Sequence, residues 1–172
     1  MENQKVAVIG FGMWGRNIVR NFYNLKVLDI VCDLDDESLK TVREQFPGVK
    51  TTKDFNEIIN DKSITGVAVV TPSHTHFKIV KAMLEAGKNV YVEKPISTVA
   101  EEARVLTQLA EEKGLILMVG HLLLYHPAVN RLKMLIEEGV LGELVYAQSD
   151  RLNVNYHKND RRVKWDLAPH DV

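Results

Sequence analysis

Lys5-Val6-Ala7-Val8-Ile9-Gly10-Phe11-Gly12-Met13-Trp14-Gly15 is the stretch that decides the fold. A short apolar strand runs into three glycines spaced G-x-G-x-x-G, and helical periodicity follows over Met13–Tyr23. The first glycine permits a tight turn. The second lets the backbone approach a diphosphate, and the third allows close packing of helix on strand. The helix start then presents N–H groups and the positive end of its dipole to an anion.

Apolar runs alternate with helical segments from there on. Lys5–Ile9, Val27–Cys32, Gly66–Val70, Asn89–Val92 and Leu115–Val119 read as strands. They are short, nearly continuous and rich in valine and isoleucine, as parallel strands covered on both faces should be. Helices are expected over Met13–Tyr23, Asp36–Phe46, Phe55–Asn60, His74–Ala86 and Val99–Lys113. Asp54 with Glu57, and Thr98 with Glu101, have capping-box spacing. Gly87 and Gly114 stand just past helix ends, where a left-handed residue is wanted. The alternation implies right-handed βαβ units in an α/β fold: a doubly wound parallel sheet of the Rossmann type.

Three further segments fall at the carboxyl edge of that sheet, where open α/β folds bind their ligands. Asp33 ends the second strand, 33 − 15 = 18 residues past Gly15. A carboxylate there accepts hydrogen bonds from the adenosine ribose and repels a 2′-phosphate. Leu34 follows, not arginine, so NAD is expected and NADP is less favoured. The bland alternative for Asp33 is a helix cap, a task that Asp35 or Asp36 can also fill. Thr71-Pro72-Ser73-His74-Thr75-His76 follows the Gly66–Val70 strand. Pro72 suits packing on a flat ring, and Ser73 suits a helix cap. His76 either faces the crevice or is solvated in the first helical turn. His74 and His76 do not share a helix face, so no metal site is expected.

Glu93-Lys94-Pro95 closes the Asn89–Val92 strand. Lysine is costly to bury and shifts its pKa readily, so its place at a strand end points to chemistry. Pro95 fixes the turn, with a cis Lys94–Pro95 bond as one way to aim the side chain. A surface lysine in a strand-to-helix loop is the bland alternative. Asp166 and His170 stand four residues apart and can share one side of a helical turn, a carboxylate beside a group that titrates near neutrality. A glycine loop and acidic residue also serve S-adenosylmethionine methyltransferases; Lys94 and the Asp166/His170 pair argue against that class.

Composition is that of an ordinary soluble globular chain: 45% hydrophobic, 26% charged, net charge −1 over 172 residues. The charge gives no reason to expect nucleic acid or an anionic membrane as partner. Apolar runs such as Leu115–Val119 are too short to span a bilayer, and no secretory signal opens the sequence. The lone Cys32 excludes an internal disulfide and suits a reducing, cytoplasmic setting. The rhythm changes near residue 121. A helix is expected from Pro127 through Glu138, closed by Gly139, then a more polar strand over Glu143–Leu152. Arg151, Lys158, Arg161, Arg162 and Lys164 make the next stretch basic, fit for a diphosphate or for solvent. The expected organisation is a dinucleotide-binding domain over 1–120 and the beginning of an α+β domain over 121–172. One long strand without a partner makes that second part look incomplete.

Together these segments resemble the glucose-fructose oxidoreductase / inositol dehydrogenase family, usually called Gfo/Idh/MocA. The resemblance covers essentially the whole chain. It rests on Gly10–Gly15, Thr71-Pro72 with His76, Ala86-Gly87-Lys88-Asn89-Val90 leading into Glu93-Lys94-Pro95, and Asp166 with His170. Gly120-His-Leu-Leu-Leu-Tyr-His-Pro127 and Trp165–Asp171 look most like the UDP-N-acetylglucosamine-type 3-dehydrogenases. The resemblance implies a cytoplasmic, homo-oligomeric NAD-dependent dehydrogenase of sugars, polyols or nucleotide-linked N-acetyl sugars. It assigns Lys94, His170 and Asp166 to catalysis. Gly10, Phe11, Gly12, Met13, Trp14, Gly15, Asp33, Thr71, Pro72, His76, Glu93 and Lys94 go to the cofactor, with Glu93 on the nicotinamide-side ribose. Family members usually run to roughly twice this length, which makes a truncated or non-catalytic dinucleotide module the alternative expectation.

Overall fold

The structure, a computed structural model, describes residues 4–148. The chain divides after Gly120 into two compact units. The first carries β1 (Lys5–Ile9), α1 (Gly15–Asn24), β2 (Leu28–Cys32), α2 (Asp36–Gln45), β3 (Lys50–Thr52) and α3 (Asn56–Asn60). It continues with β4 (Ile64–Val69), α4 (His76–Glu85), β5 (Asn89–Val92), α5 (Ala100–Glu112) and β6 (Leu117–Val119).

All paired strands are parallel, in the order β3-β2-β1-β4-β5-β6. The strand order reverses between β1 and β4, and their carboxyl ends open the crevice characteristic of this topology. Side chains alternate across the sheet and feed two cores. Ala7, Ile9, Ile30, Cys32, Val67, Val69, Val90 and Val92 face α3, α4 and α5, where Ile58, Met83, Leu84 and Leu106 are fully buried. Val8, Val31 and Ala68 face α1 and α2, packed by Phe11, Val19, Val42 and Phe46. The near-continuous apolar runs follow from this: over the carboxyl-terminal halves of β1, β2, β4 and β5 successive residues meet one core or the other.

Cys32 is buried. Burial, with the charges of Asp33, Asp54 and Glu57, pushes its thiol up to about 12, so it stays an inert packing group.

Several boundaries differ from the sequence reading. β3, Lys50-Thr51-Thr52, is a polar edge strand with no apolar signal to betray it. Leu115 is not in β6; its N–H bonds the Ala110 carbonyl and finishes α5. The expected helix from His74 is two pieces: a 3₁₀ turn over Ser73–Thr75, then α4 from His76. Neither capping box forms as spaced. Asp54 accepts from the Asn56 N–H at 2.9 Å. Ahead of α5, Ser97 accepts from the Val99 N–H and its hydroxyl donates to Glu102. Ser73 does not cap α4. Gly87 and Gly114 do take positive φ, 77° and 62°.

In the second unit a 3₁₀ turn over Leu122–Tyr125 precedes α6 (Pro127–Glu137). Pro127 opens α6, the His126 ring accepts from the Ala128 N–H, and Gly139 follows the helix at φ 71°. The strand expected over Glu143–Leu152 is absent from its described part, 143–148. An isolated strand has no ladder to satisfy its backbone, and among the described residues nothing pairs with this one. Residues 149–152 lie outside the described residues.

At the amino end of the sheet, Asp29 of β2 bridges Lys5 of β1 at 3.1 Å and Lys50 of β3 at 3.0 Å. Burial opposes ionisation of Asp29, but hydrogen bonds and charge from Lys50 and Lys5 outweigh it and hold the carboxyl below its ordinary value. A depressed carboxyl contributes stability that is present above the unfolded pKa, about 3.9, and is lost as pH falls through the lower folded value. Asp29→Asn should therefore lower stability at pH 7 by about 1 kcal/mol, given the solvent-screened lysines, and lower the melting temperature with it. As pH falls below the ordinary carboxyl range the variant and the parent should melt more nearly together, a convergence that thermal scans across pH read directly.

Candidate functional site

The glycine loop folds as its spacing demands. Gly10 has φ 101°, and a Cβ there would stand 2.6 Å from the Val70 carbonyl oxygen. A Cβ on Gly15 would stand 2.2 Å from the Gly10 carbonyl oxygen, so only glycine lets α1 start against the strand end. Gly12 is different: a Cβ there meets nothing within 4 Å. Its side of the loop is open space. α1 begins without a side-chain cap and without an acidic residue in its first turn. An open backbone face at an uncapped helix start accepts a diphosphate, so the residues present fit a dinucleotide.

Asp33 lies at the carboxyl end of β2 and reaches the same loop. Its Oδ2 accepts from the Phe11 N–H at 2.6 Å and its Oδ1 from the Asp35 N–H at 2.9 Å. The helix cap is Asp35, which accepts from the Ser38 N–H at 2.8 Å. Asp33 is thus not the cap of α2, and both of its carboxylate oxygens retain lone pairs at the edge of the crevice. Phe11 is buried beneath the loop, edge-on to Phe46. Met13 is exposed at the rim. Leu34 is also exposed, next to Asp33.

Thr71 and Pro72 follow β4. Thr75 donates its hydroxyl hydrogen to the Pro72 carbonyl at 2.7 Å, which makes Thr71 the donor in its 2.7 Å contact with Thr75. This chain of bonds holds the turn, with Pro72 exposed above it. His76 corrects both sequence readings. It is neither solvated nor open to the crevice but 1% exposed. One ring nitrogen lies 2.7 Å from the Pro95 carbonyl and the other 2.8 Å from the Thr71 carbonyl. The imidazole ties the loop after β4 to the loop after β5, so its service to a ligand passes through those two loops.

The Lys94–Pro95 bond is cis. Lys94 is half-buried at the end of β5, beside a buried Glu93. Glu93 Oε1 accepts from the Trp14 indole N–H at 2.7 Å and from the Tyr91 hydroxyl at 2.6 Å, while Oε2 lies 3.3 Å from the Lys94 N–H. Burial, then the bond to Glu93 and its charge, push the Tyr91 hydroxyl well above the usual tyrosine range, so it stays a donor. Gly120 completes the arrangement, because a Cβ there would stand 2.5 Å from the Tyr91 hydroxyl and 2.9 Å from Glu93 Oε1. The sequence reading took Tyr91 as a strand residue and Gly120 as the start of a segment of the resemblance, and named neither as a site residue. Tyr91 breaks the valine pattern of its strand two residues before Glu93, the only signal it offered.

Residues 10–14, 33, 71–72 and 93–94 therefore stand on the loops at the carboxyl ends of β1, β2, β4 and β5, and Gly15 opens α1. Asp166 and His170, with the basic residues Arg151 to Lys164, lie outside the described residues. Among the described residues no helix is long and apolar enough to cross a membrane.

Residues 4–121 match the model of an oxidoreductase family with an NAD-binding Rossmann fold, Gfo/Idh/MocA. The chain belongs to this family. It is 30% identical over 170 residues to scyllo-inositol 2-dehydrogenase (NADP(+)) IolW of Bacillus subtilis, covering 96% of this chain and 45% of that protein. It is 29% identical over 178 residues to UDP-N-acetylglucosamine 3-dehydrogenase of Acidithiobacillus ferrooxidans, covering all of this chain and 53% of that one. GenD2 from gentamicin A biosynthesis, solved in complex with NAD, superposes with a TM-score of 0.76 at 30% identity, over 81% of this chain and 40% of that one. The chain spans about half the length of these relatives.

Gly12 and Gly15 differ in what surrounds them. Gly12→Ala meets no protein atom and should leave the melting temperature within about 2 °C of the parent, while NAD binding by calorimetry falls at least about tenfold. Gly15→Ala must displace backbone and should lower the melting temperature by several degrees whether or not NAD is present.

Proposed function

We propose that this protein is an NAD-dependent dehydrogenase that oxidises a secondary hydroxyl of a sugar or polyol, with a nucleotide-linked N-acetyl sugar as its substrate class. The observation that carries the reading is Lys94, held beside Glu93 at the end of β5, on the same sheet edge as the glycine loop. The nicotinamide, when bound, supplies the hydride acceptor. Gly10–Gly15 would hold the diphosphate, Asp33 the adenosine ribose, and Thr71-Pro72 the ring-facing wall. Glu93 would take the hydroxyls of the second ribose.

Hydride loss leaves alkoxide-like charge on the reacting oxygen. The Lys94 ammonium would hydrogen-bond that oxygen and stabilise the charge as it develops. His170 would take the hydroxyl proton and Asp166 would orient His170 or the substrate. The carboxylate of Asp33 next to exposed Leu34 supports NAD over NADP, since nothing in that pair neutralises a 2′-phosphate. Residues 121–172 would begin the substrate-binding domain. The relatives named for scyllo-inositol and UDP-N-acetylglucosamine support the polyol and nucleotide-sugar classes. Lone, buried Cys32 supports a cytoplasmic setting, and homo-oligomerisation is part of the same reading.

The test is NADH formation with a panel of UDP-N-acetyl sugars and free polyols. Lys94→Ala should cost about 10²–10⁴ in turnover while the NAD dissociation constant stays within about threefold. Collapse of NAD affinity would remove Lys94 from the chemistry. NAD binding without turnover on any substrate would favour a non-catalytic dinucleotide module. Asp33→Ser should shift the NAD:NADP affinity ratio toward NADP by about tenfold, and an unchanged ratio would contradict the ribose assignment.

A further inference from the structure

Trp14 occupies an unusual position. It belongs to the diphosphate loop after β1, yet its indole N–H ends 2.7 Å from Glu93 Oε1 after β5. The order β1-β4-β5 means this one side chain bridges past the end of β4. Tyr91 brings a second donor to the same oxygen, and Gly120 leaves the room that this convergence needs. Both donors lie on Oε1. Oε2 meets only the long 3.3 Å approach of the Lys94 N–H among the bonds described for it.

A carboxylate on a short strand-end loop would otherwise rotate between rotamers, and ordering it on binding costs free energy. Two donors on one oxygen remove that freedom beforehand. The bonds are charge-assisted and short, so they hold a defined orientation.

We propose that Trp14 and Tyr91 are positioning residues for the nicotinamide half of the dinucleotide. They fix Glu93 through Oε1 so that Oε2 faces the second ribose, and Trp14 thereby couples the grip on the diphosphate to the grip on that ribose. The inference rests on the assignment of Glu93 to this ribose. It concerns the chain's own residues and predicts selectivity among nucleotides, apart from any turnover.

ADP carries the adenosine and the diphosphate but lacks the second ribose, so the ratio of NAD to ADP affinity isolates the Glu93 contribution. Calorimetry with NAD and with ADP would be run on the parent, Trp14→Phe, Tyr91→Phe, Glu93→Ala and the Trp14→Phe/Glu93→Ala double variant. Thermal melts would confirm that each is folded. Trp14→Phe keeps an aromatic ring and removes the donor. It should lower the NAD:ADP ratio about three- to tenfold with ADP affinity nearly unchanged, and Tyr91→Phe should act in the same direction. In the Glu93→Ala background Trp14→Phe should change the ratio no further, since the two act as one unit.

The outcomes separate two failures. If Glu93→Ala leaves the NAD:ADP ratio at the parent value, the ribose assignment of Glu93 is wrong and this inference falls with it. If Glu93→Ala lowers the ratio but Trp14→Phe leaves it unchanged, the assignment stands and the Trp14 inference is wrong. Equal weakening of NAD and ADP by Trp14→Phe marks a merely structural part in the glycine loop. A raised ratio would make the indole a competitor for Glu93. Both of these also overturn the proposal.

Discussion

The structure turns on the contact between Gly15 and the carbonyl of Gly10. A single methyl group on Gly15 would sit 2.2 Å from that oxygen. Because it is missing, the first residue of α1 packs against the Gly10 carbonyl, and a loop of only five residues joins β1 to α1. Everything at the crevice is referenced to that loop. Asp33 grips it through the Phe11 N–H, Gly10 presses it against Val70, and Trp14 carries it across to Glu93.

The rest of the first unit serves to hold those loops in place. Two cores cover β1, β2, β4 and β5 from both faces, so the four carboxyl ends that carry the candidate site emerge from a rigid floor. Ties between loops then replace backbone pairing where the strands stop. His76 joins the turn after β4 to the turn after β5. Lys88 does a similar task at the opposite end of the sheet, where its ammonium bonds the carbonyls of Asp61 and Ile64 at 2.8 and 3.0 Å. Burial holds that lysine below its ordinary pKa, and its two carbonyl partners account for its place in the sequence without any chemistry.

The fold was readable where pattern and burial coincide. β1, β4 and β5 announce themselves as valine-rich runs because both faces are covered, and Gly87 and Gly114 mark helix ends that need positive φ. β3 was not readable, since a three-residue polar edge strand takes its pairing from β2 and not from its own composition. The strand expected after Glu143 shows the converse: composition suggested extension, but among the described residues no partner supplies a ladder. At the sheet edge the tight turn through Gly10 and Gly15 was legible because local backbone geometry demands glycine there. The burial of His76 and the Tyr91–Glu93–Trp14 arrangement were not, because they join residues brought together only by the sheet order. The pairing of Trp14 with Glu93 spans 79 positions, which no local pattern encodes.

The most direct test of the account is a crystal structure of the protein with NAD bound. The account predicts the diphosphate over Gly12, the adenosine ribose on Asp33, the second ribose on Glu93, and the Lys94 amine facing the nicotinamide carbon that accepts hydride. A dinucleotide bound with its second ribose away from Glu93, or with Lys94 turned from the nicotinamide, would contradict it.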